Sequence, residues 1–189
     1  MKPRPLFLIA AIVVIASFGG APITSAHTPV DPTTLTPPLA PFRVCFMDGP
    51  WVKCDTSSTT TYANQPIFDL TCGTIYESAT DTRHATRWYV NLLLVERNAQ
   101  QHVVGTWSLS PTGSGPSVAI AIDISWHETF LVPGDLSSDS EVSHGDFLRI
   151  SGFGADLRDT GIFLPDGTHH GRSSFTDEAN ARLCQLLTP

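Results

Sequence analysis

The sequence is poor in charge, and lysine is almost absent from it. Charged residues make up 15% of the 189 residues, with 11 cations against 18 anions, and Lys2 and Lys53 are the two lysines. Binding to nucleic acid depends on cations that neutralise phosphates, and anionic membrane surfaces attract the same cations. The composition therefore disfavours both kinds of partner. Hydrophobic residues reach 41%, which is enough for a folded core and argues against general disorder.

Motifs for several common chemistries are also missing. No Gly-x-Ser-x-Gly segment marks a serine nucleophile, and no Gly-x-x-x-x-Gly-Lys segment marks a phosphate-binding loop. The four cysteines lack the Cys-x-x-Cys spacing that is typical of structural zinc sites and of redox sites. The sequence thus indicates no cofactor. Carboxylate pairs like those of glycoside hydrolases leave no sequence signal, because they meet only in the fold.

Residues 1–26 have the three parts of a secretory signal peptide. After a start with two cations, the uncharged stretch Leu6–Phe18 follows, and Thr24–Ala26 supplies small residues before His27. That stretch is shorter than the ~20 residues needed to cross a bilayer, so we expect cleavage before His27 and not a retained anchor. The mature protein is then secreted, extracellular and free of the membrane. Loss of the two cations takes its formal charge from −7 to −9.

The four cysteines predict two disulfides. Cys45, Cys54, Cys72 and Cys184 all follow the signal segment, and an even number in an oxidising compartment favours paired cysteines, with three pairings open. The segment between Cys45 and Cys54 is symmetric about Gly49-Pro50. A type II′ turn there places Cys45 directly opposite Cys54, at the ~4.5 Å Cα separation of a non-hydrogen-bonded strand pair. This hairpin favours the pairing in which Cys72 joins Cys184.

A proline-rich segment precedes the predicted domain. Five of the 15 residues from 27 to 41 are proline, which predicts an extended, polyproline-like arm with neither strand nor helix. Such an arm serves as a tether, a docking segment or a plain spacer. We expect a spacer whose removal leaves folding intact. Residues 42–189 are then a single disulfide-stapled domain.

Alternation of apolar and polar residues dominates the domain and predicts strands. It is clearest at Val118–Phe130, where one parity is apolar except at Glu128. A polar loop is expected at Asp55–Thr61 and a turn at Asn98–Gln101. The apolar stretch Thr86–Arg97 fits a central strand or a short helix, and the turn expected after it favours the strand. Further strands are predicted at 66–77, 146–152 and 161–164, with an acidic loop at 137–141.

The C-terminal segment changes from strand to helix periodicity. Thr176 is a good N-cap, Asp177 and Glu178 suit the positive end of a helix dipole, and Leu183 and Leu187 recur at helical spacing. The predicted fold class is therefore all-β, an antiparallel sandwich or open barrel, with one C-terminal α-helix.

Histidines are the candidate metal ligands. His144 and the neighbours His169 and His170 lie in predicted loops, and imidazole is the commonest metal ligand. His27 becomes the first residue after signal cleavage, where its amine and a ring nitrogen together chelate copper. At this one position the chain resembles the secreted copper monooxygenases that act on polysaccharides. The resemblance implies a copper-dependent oxidase with His27 as a ligand.

Two functions fit these observations. A stapled β scaffold without a catalytic signature is typical of secreted binding proteins, including small cysteine-containing effectors that act on a host or a neighbouring cell. We expect this class, with a protein or a surface ligand as the partner and no catalytic residue. The alternative is a secreted enzyme, either a carboxylate hydrolase or the His27 copper oxidase. A pocket with converging histidines or carboxylates favours an enzyme, whereas an exposed apolar patch or free edge strand favours a binding protein.

Overall fold

The computed structural model describes residues 27–151 and 157–189, so the predicted signal peptide at 1–26 lies outside the described residues. Eight antiparallel strands form one sheet in chain order, and a helix follows them. The all-β class with a C-terminal helix is confirmed. No helix in these two ranges is both long and apolar enough to span a bilayer. The elements are β1 (Val44–Asp48), β2 (Trp51–Leu70), β3 (Gly73–Val90), β4 (Leu93–Ser108), β5 (Ser117–Phe130), β6 (Asp139–Ser151), β7 (Leu157–Phe163), β8 (His169–Ser173) and α1 (Asp177–Leu187).

The first hairpin forms as the cysteine symmetry predicts. Cys45 lies directly opposite Cys54 in the register of β1 and β2, and Gly49 has a φ of +62°, as the first central position of a type II′ turn requires. The two cysteines form a disulfide with a Cα separation of 4.2 Å. The second disulfide joins Cys72 to Cys184 and ties α1 to the turn between β2 and β3.

The prediction of a polar loop at Asp55–Thr61 is wrong, because these residues belong to strand β2. Threonine is β-branched and favours strands whatever its polarity. Its hydroxyls also pair across to β3, with 3.4 Å between the Oγ1 atoms of Thr59 and Thr82. The strand is polar on both faces over this stretch, so the alternation that marks half-buried strands is absent from its sequence.

The turn expected at Asn98–Gln101 is also misplaced, because these residues belong to β4. The chain reverses instead at Asn91 and Leu92, whose φ values are +51° and +66°. A two-residue turn of type I′ needs positive φ at both central positions, which asparagine tolerates and leucine rarely adopts. Because leucine is rare at such a position, the sequence did not indicate this turn. The apolar stretch Thr86–Arg97 is therefore divided between β3 and β4.

Other boundaries also differ from the expected ones. The segment 66–77 contains the turn between β2 and β3, the acidic loop 137–141 overlaps the start of β6, and β8 was not expected. The strand at Val118–Phe130 is confirmed as β5, and Thr176 caps α1 by accepting a hydrogen bond from the Ala179 backbone N–H.

The buried side chains form two clusters at opposite ends of the sheet, on one face. The first cluster is covered by α1, which contributes Leu183 and Leu187, each 1% exposed. The second cluster surrounds the Cys45–Cys54 disulfide and includes Tyr89 and Phe130.

The expected extended arm with neither strand nor helix is wrong for residues 27–41, because this segment contains a 3-10 helix at Pro32–Thr34 and packs against the domain. Leu35 is 2% exposed and belongs to the second cluster. Thr36 donates its N–H to the Leu92 carbonyl and accepts from the Leu94 N–H, each at 2.8 Å. Prolines exclude a regular strand, but the residues between them still pair with the sheet and fill its core.

Candidate functional site

A groove of about 690 Å³ crosses the middle of the sheet from β2 to β6. Its lining has two adjoining rows of polar residues that the strand register aligns, with Thr56, Ala85, Ala99 and Trp126 between them. The first row is Ser57, His84, Gln100, Ser125 and His144, and the second is Asp55, Thr86, Asn98 and His127.

These nine side chains share one face of the sheet. Residues directly opposite one another in an antiparallel sheet point to the same side, and so do residues two apart along a strand. Cys54 and Val103, which have the opposite parity to the row members in β2 and β4, are buried on the other face. The groove therefore lies on the solvent face, opposite the core, and β2 to β6 hold it as a paired scaffold.

The groove is nearly uncharged, and it combines its polar rows with apolar surface from residues such as Ala85, Ala99 and Trp126. Asp55 is the single carboxylate among its described lining residues, and no lysine or arginine lines it. The Asp55 carboxylate accepts a 2.7 Å hydrogen bond from the Thr86 hydroxyl and lies 3.5 Å from the Lys53 ammonium. The His127 ring Nδ1 is hydrogen-bonded to the Asn98 side-chain oxygen. The groove thus offers hydroxyl, amide and imidazole groups, which donate and accept hydrogen bonds without a net cationic charge.

Two serine–histidine pairs lie in the first row. Ser57 is directly opposite His84, and Ser125 is directly opposite His144. A nucleophilic serine needs its base within hydrogen-bond reach and a third group that orients the base. Within residues 27–151 and 157–189, no hydrogen bond joins serine to histidine in either pair. The strand register thus places a serine beside a histidine in each pair, as in a catalytic dyad, but the hydrogen bond that would activate the serine is not formed.

The four histidines proposed as metal ligands do not converge. His144 lines the groove. His27 is exposed, with its Nδ1 3.4 Å from the Met47 carbonyl oxygen. His169 and His170 lie in strand β8 and not in the predicted loop, and as neighbours in a strand they point to opposite faces. The described ranges contain one group of three or more potential metal ligands, and it includes no histidine.

His169 has a structural environment of its own. Its ring stacks on Phe163 with centroids 4.4 Å apart, and its Nε2 lies 3.9 Å from an Asp159 carboxylate oxygen. A Cβ at Gly161 or Gly171 would come within 2.8 Å or 2.7 Å of that nitrogen. Because neither glycine has a Cβ, the His169 imidazole can lie over the sheet at these two positions.

The one cluster of potential ligands contains Glu128, Asp139 and Glu141, whose oxygens lie within 4.8 Å of one another. Glu128 was the exception in the apolar parity of β5, and its side chain is 3% exposed. Arg97 donates to both of its carboxylate oxygens, so the buried charge already has its cation. Burial, and then the nearby charge of Glu128, raise the pKa of Glu141.

Exposed apolar side chains collect at one end of the sheet. Alternate turns of an antiparallel meander share an end, and here these are the β1–β2, β3–β4 and β5–β6 connections. Leu131 is 80% exposed and Val132 56%. Leu136 lies in the same connection, and Leu92 in the β3–β4 turn is also exposed. Exposed apolar patches of this kind are typical of interaction surfaces.

Comparison of the chain with protein-family models, with curated proteins and with solved structures finds no match.

Proposed function

We propose that the protein is a secreted binding protein whose groove holds a neutral, polyhydroxylated ligand, a glycan on the surface of a host or neighbouring cell. The observation that carries the proposal is the lining of the groove. Nine aligned side chains present hydroxyl, amide, imidazole and carboxylate groups with no lysine or arginine among them. Planar groups such as those of Asn98 and Gln100 donate and accept at once, which suits the vicinal hydroxyls of a sugar.

The position of the groove favours a glycan over an extended peptide. Peptides that dock on sheets add to a free edge and use backbone hydrogen bonds. The groove crosses the middle of the sheet, where the backbone groups of β3, β4 and β5 are already paired on both sides. Only side chains are available to a ligand there.

The secretion part of the proposal rests on the predicted signal at 1–26 and on two disulfides, which are compatible with an oxidising compartment. Expression of the full chain in a secreting host tests it by intact-mass measurement of the product in the medium. We expect a chain that begins at His27 and is four hydrogens lighter than its reduced form. A product that keeps residues 1–26, or remains in the cell, contradicts secretion.

Ligand binding is tested on an array of neutral and acidic glycans with the secreted protein. We expect selective binding of neutral glycans, because the net charge of −9 after signal removal repels acidic ones. The double variant His84→Ala/Gln100→Ala should weaken binding at least tenfold. His102→Ala is the matched control, since His102 is an exposed residue of β4 outside the groove lining. Absence of binding to any glycan, or equal binding by the double variant, contradicts the proposal.

A secreted hydrolase is the second candidate, because two serine–histidine pairs lie in the first row. It predicts that the protein cleaves a chromogenic ester such as p-nitrophenyl acetate, and that Ser57→Ala or Ser125→Ala abolishes turnover. A rate equal to that of the buffer, in all three proteins, excludes ester hydrolysis by these pairs. Turnover lost in one serine variant would replace the binding proposal with an enzymatic one.

A further inference from the structure

The first row of the groove changes its charge only through histidine. It consists of Ser57, His84, Gln100, Ser125 and His144, each directly opposite the next across the strand register. None of these five side chains is a carboxylate, a lysine or an arginine. Imidazole gains or loses its charge between about pH 5 and pH 8. The row is therefore formally neutral when both rings are deprotonated, and each ring that is protonated adds one positive charge.

Both imidazoles of the first row are exposed and without a partner in the protein. Within residues 27–151 and 157–189, neither His84 nor His144 forms a hydrogen bond or an ion pair. A neutral imidazole donates one hydrogen bond and accepts one, whereas a protonated ring donates two and accepts none. Protonation therefore converts each ring from a group that suits a sugar hydroxyl into a charged donor that suits an anion.

Two other histidines on this face lie beside carboxylates. The His102 Nδ1 is 3.8 Å from an Asp123 carboxylate oxygen, and the His127 Nδ1 is 3.6 Å from a Glu96 carboxylate oxygen. Protonation of either ring completes an ion pair within the protein. The positive charge at these two positions is therefore not available to a ligand.

The remaining charges around the first row are compensated in a similar way. Among the described residues, the charged side chains that flank the row on this face are Lys53, Asp55, Glu96, Asp123, Asp146, Arg149 and Arg158, and Arg43 reaches its edge. Asp55 is ion-paired with Lys53, and Asp146 is ion-paired with Arg158. Each of the four carboxylates thus has a cation beside it at low pH, so the charges of His84 and His144 are left for a ligand.

Protonation also reverses the charge of the whole lining. One carboxylate and three histidines line the groove, so its formal charge changes from −1 with neutral rings to +2 with protonated rings. Over the same range the seven histidines of the chain take the net charge after signal removal from −9 to −2. Carboxyl groups of the kind found in sugar acids ionise near pH 3.5, so they stay charged at pH 5. Attraction in the groove then replaces the repulsion expected at neutral pH.

We propose that the groove takes acidic glycans at about pH 5, with a carboxylate or sulfate group of the sugar bound by His84 or His144. This inference rests on the proposed function of the groove as a glycan site and adds a pH-dependent choice of ligand to it. The two rings are three strands apart, or ~14 Å at the usual strand spacing, so one anionic group contacts one ring. Gln100 and Ser125 lie between them and bind sugar hydroxyls in either state.

Glycan binding by the secreted protein at about pH 7.5 and about pH 5 tests the inference. The array carries neutral glycans beside glycans with uronic acid, sialic acid or sulfate ester groups. We expect acidic glycans to gain about tenfold in affinity at the lower pH, as two exposed charges can supply. Neutral glycans should show no such gain. The methyl ester of each uronic acid glycan that binds is the matched ligand, because it keeps the hydroxyls and removes the charge.

A histidine variant separates this effect from the general change in charge. His84→Gln/His144→Gln removes both titratable groups of the first row but keeps side chains that donate and accept hydrogen bonds, and it should lose the gain at low pH. His102→Gln is the matched control, because it removes a titratable ring from the same face outside the groove lining, and it should keep the gain.

The outcomes distinguish this inference from the proposed function. If acidic glycans gain nothing at low pH, or gain equally in the double variant, the inference is overturned even where neutral glycans bind at neutral pH. Binding of acidic glycans at low pH without any binding of neutral ones supports the inference and contradicts the neutral ligand. A protein that binds no glycan at either pH contradicts both.

Discussion

Glu128 illustrates how one residue breaks a sequence pattern for a structural reason. It occupies a core-facing position of β5, between Trp126 and Phe130, and its side chain is 3% exposed. An ionised carboxylate is costly to bury unless it is paired and hydrogen-bonded. Arg97, directly opposite on β4, supplies both the charge and two donors.

Removing the cation of this pair should be strongly destabilising. Arg97→Met leaves the Glu128 charge buried without a partner, and we expect a loss of ~3–5 kcal/mol of unfolding free energy. Urea denaturation at pH 7 measures it. Lys53→Met is the control, because its ion pair with Asp55 is partly exposed and its loss should cost no more than ~1 kcal/mol. Equal losses in both variants would show that the Arg97–Glu128 pair is not the cause.

Glu141 gives a prediction with a defined pH dependence. Burial and the Glu128 charge raise its pKa in the folded protein, so the folded state favours the protonated form and ionisation above the raised pKa costs stability. Glu141→Gln removes that cost. We expect the variant to gain on the order of 0.5 kcal/mol at pH 7, a small value because solvent screens the site. The gain should vanish below about pH 4, where glutamate is protonated in both states. A gain that persists at pH 3 would point to another cause.

At the scale of elements, the proline-rich segment and β2 both differ from their expected roles. The segment 27–41 supplies Leu35 to the second cluster, although its composition is that of a linker. β2 is a 20-residue strand although much of it is hydroxylic. In both cases the partner strand decides the structure, since β3 pairs with β2 and the β3–β4 turn pairs with Thr36.

Leu35→Ala tests whether the proline-rich segment belongs to the core. Truncation of a buried leucine leaves a cavity, and we expect a loss of ~2–5 kcal/mol. Leu136→Ala makes the same chemical change at a side chain that is 50% exposed and should change stability by no more than about 0.5 kcal/mol. Thermal and urea denaturation compare the two. If Leu35→Ala is as mild as the control, the segment is dispensable for folding after all.

At the scale of the whole molecule, two disulfides close loops of very different length. Cys45 and Cys54 are 9 residues apart within one hairpin, whereas Cys72 and Cys184 are 112 apart and join α1 to the sheet. The chain-entropy account of disulfides assigns more stabilisation to longer loops. The Cys72–Cys184 bond therefore restrains most of the domain, and it holds the helix that covers the first cluster.

The two disulfides should differ when each is removed. Cys72→Ala/Cys184→Ala should cost about 5 kcal/mol and Cys45→Ala/Cys54→Ala about 2–3 kcal/mol by the loop-length relation. Guanidinium denaturation of the two double variants measures the order. The reverse order would mean that packing of the Cys45–Cys54 disulfide in the second cluster outweighs loop entropy.

The sequence by itself determined the features that depend on neighbouring residues. Gly49-Pro50 set the first hairpin and with it the Cys45–Cys54 pairing, alternation set β5, and Thr176 set the start of α1. Each rests on turn geometry, strand periodicity or a cap within a few positions. Tertiary structure decided what depends on distant partners, namely the polar half of β2, the docking of residues 27–41 and the groove. The groove rows join residues of β2 to β6 only through cross-strand register, and no local pattern encodes that register.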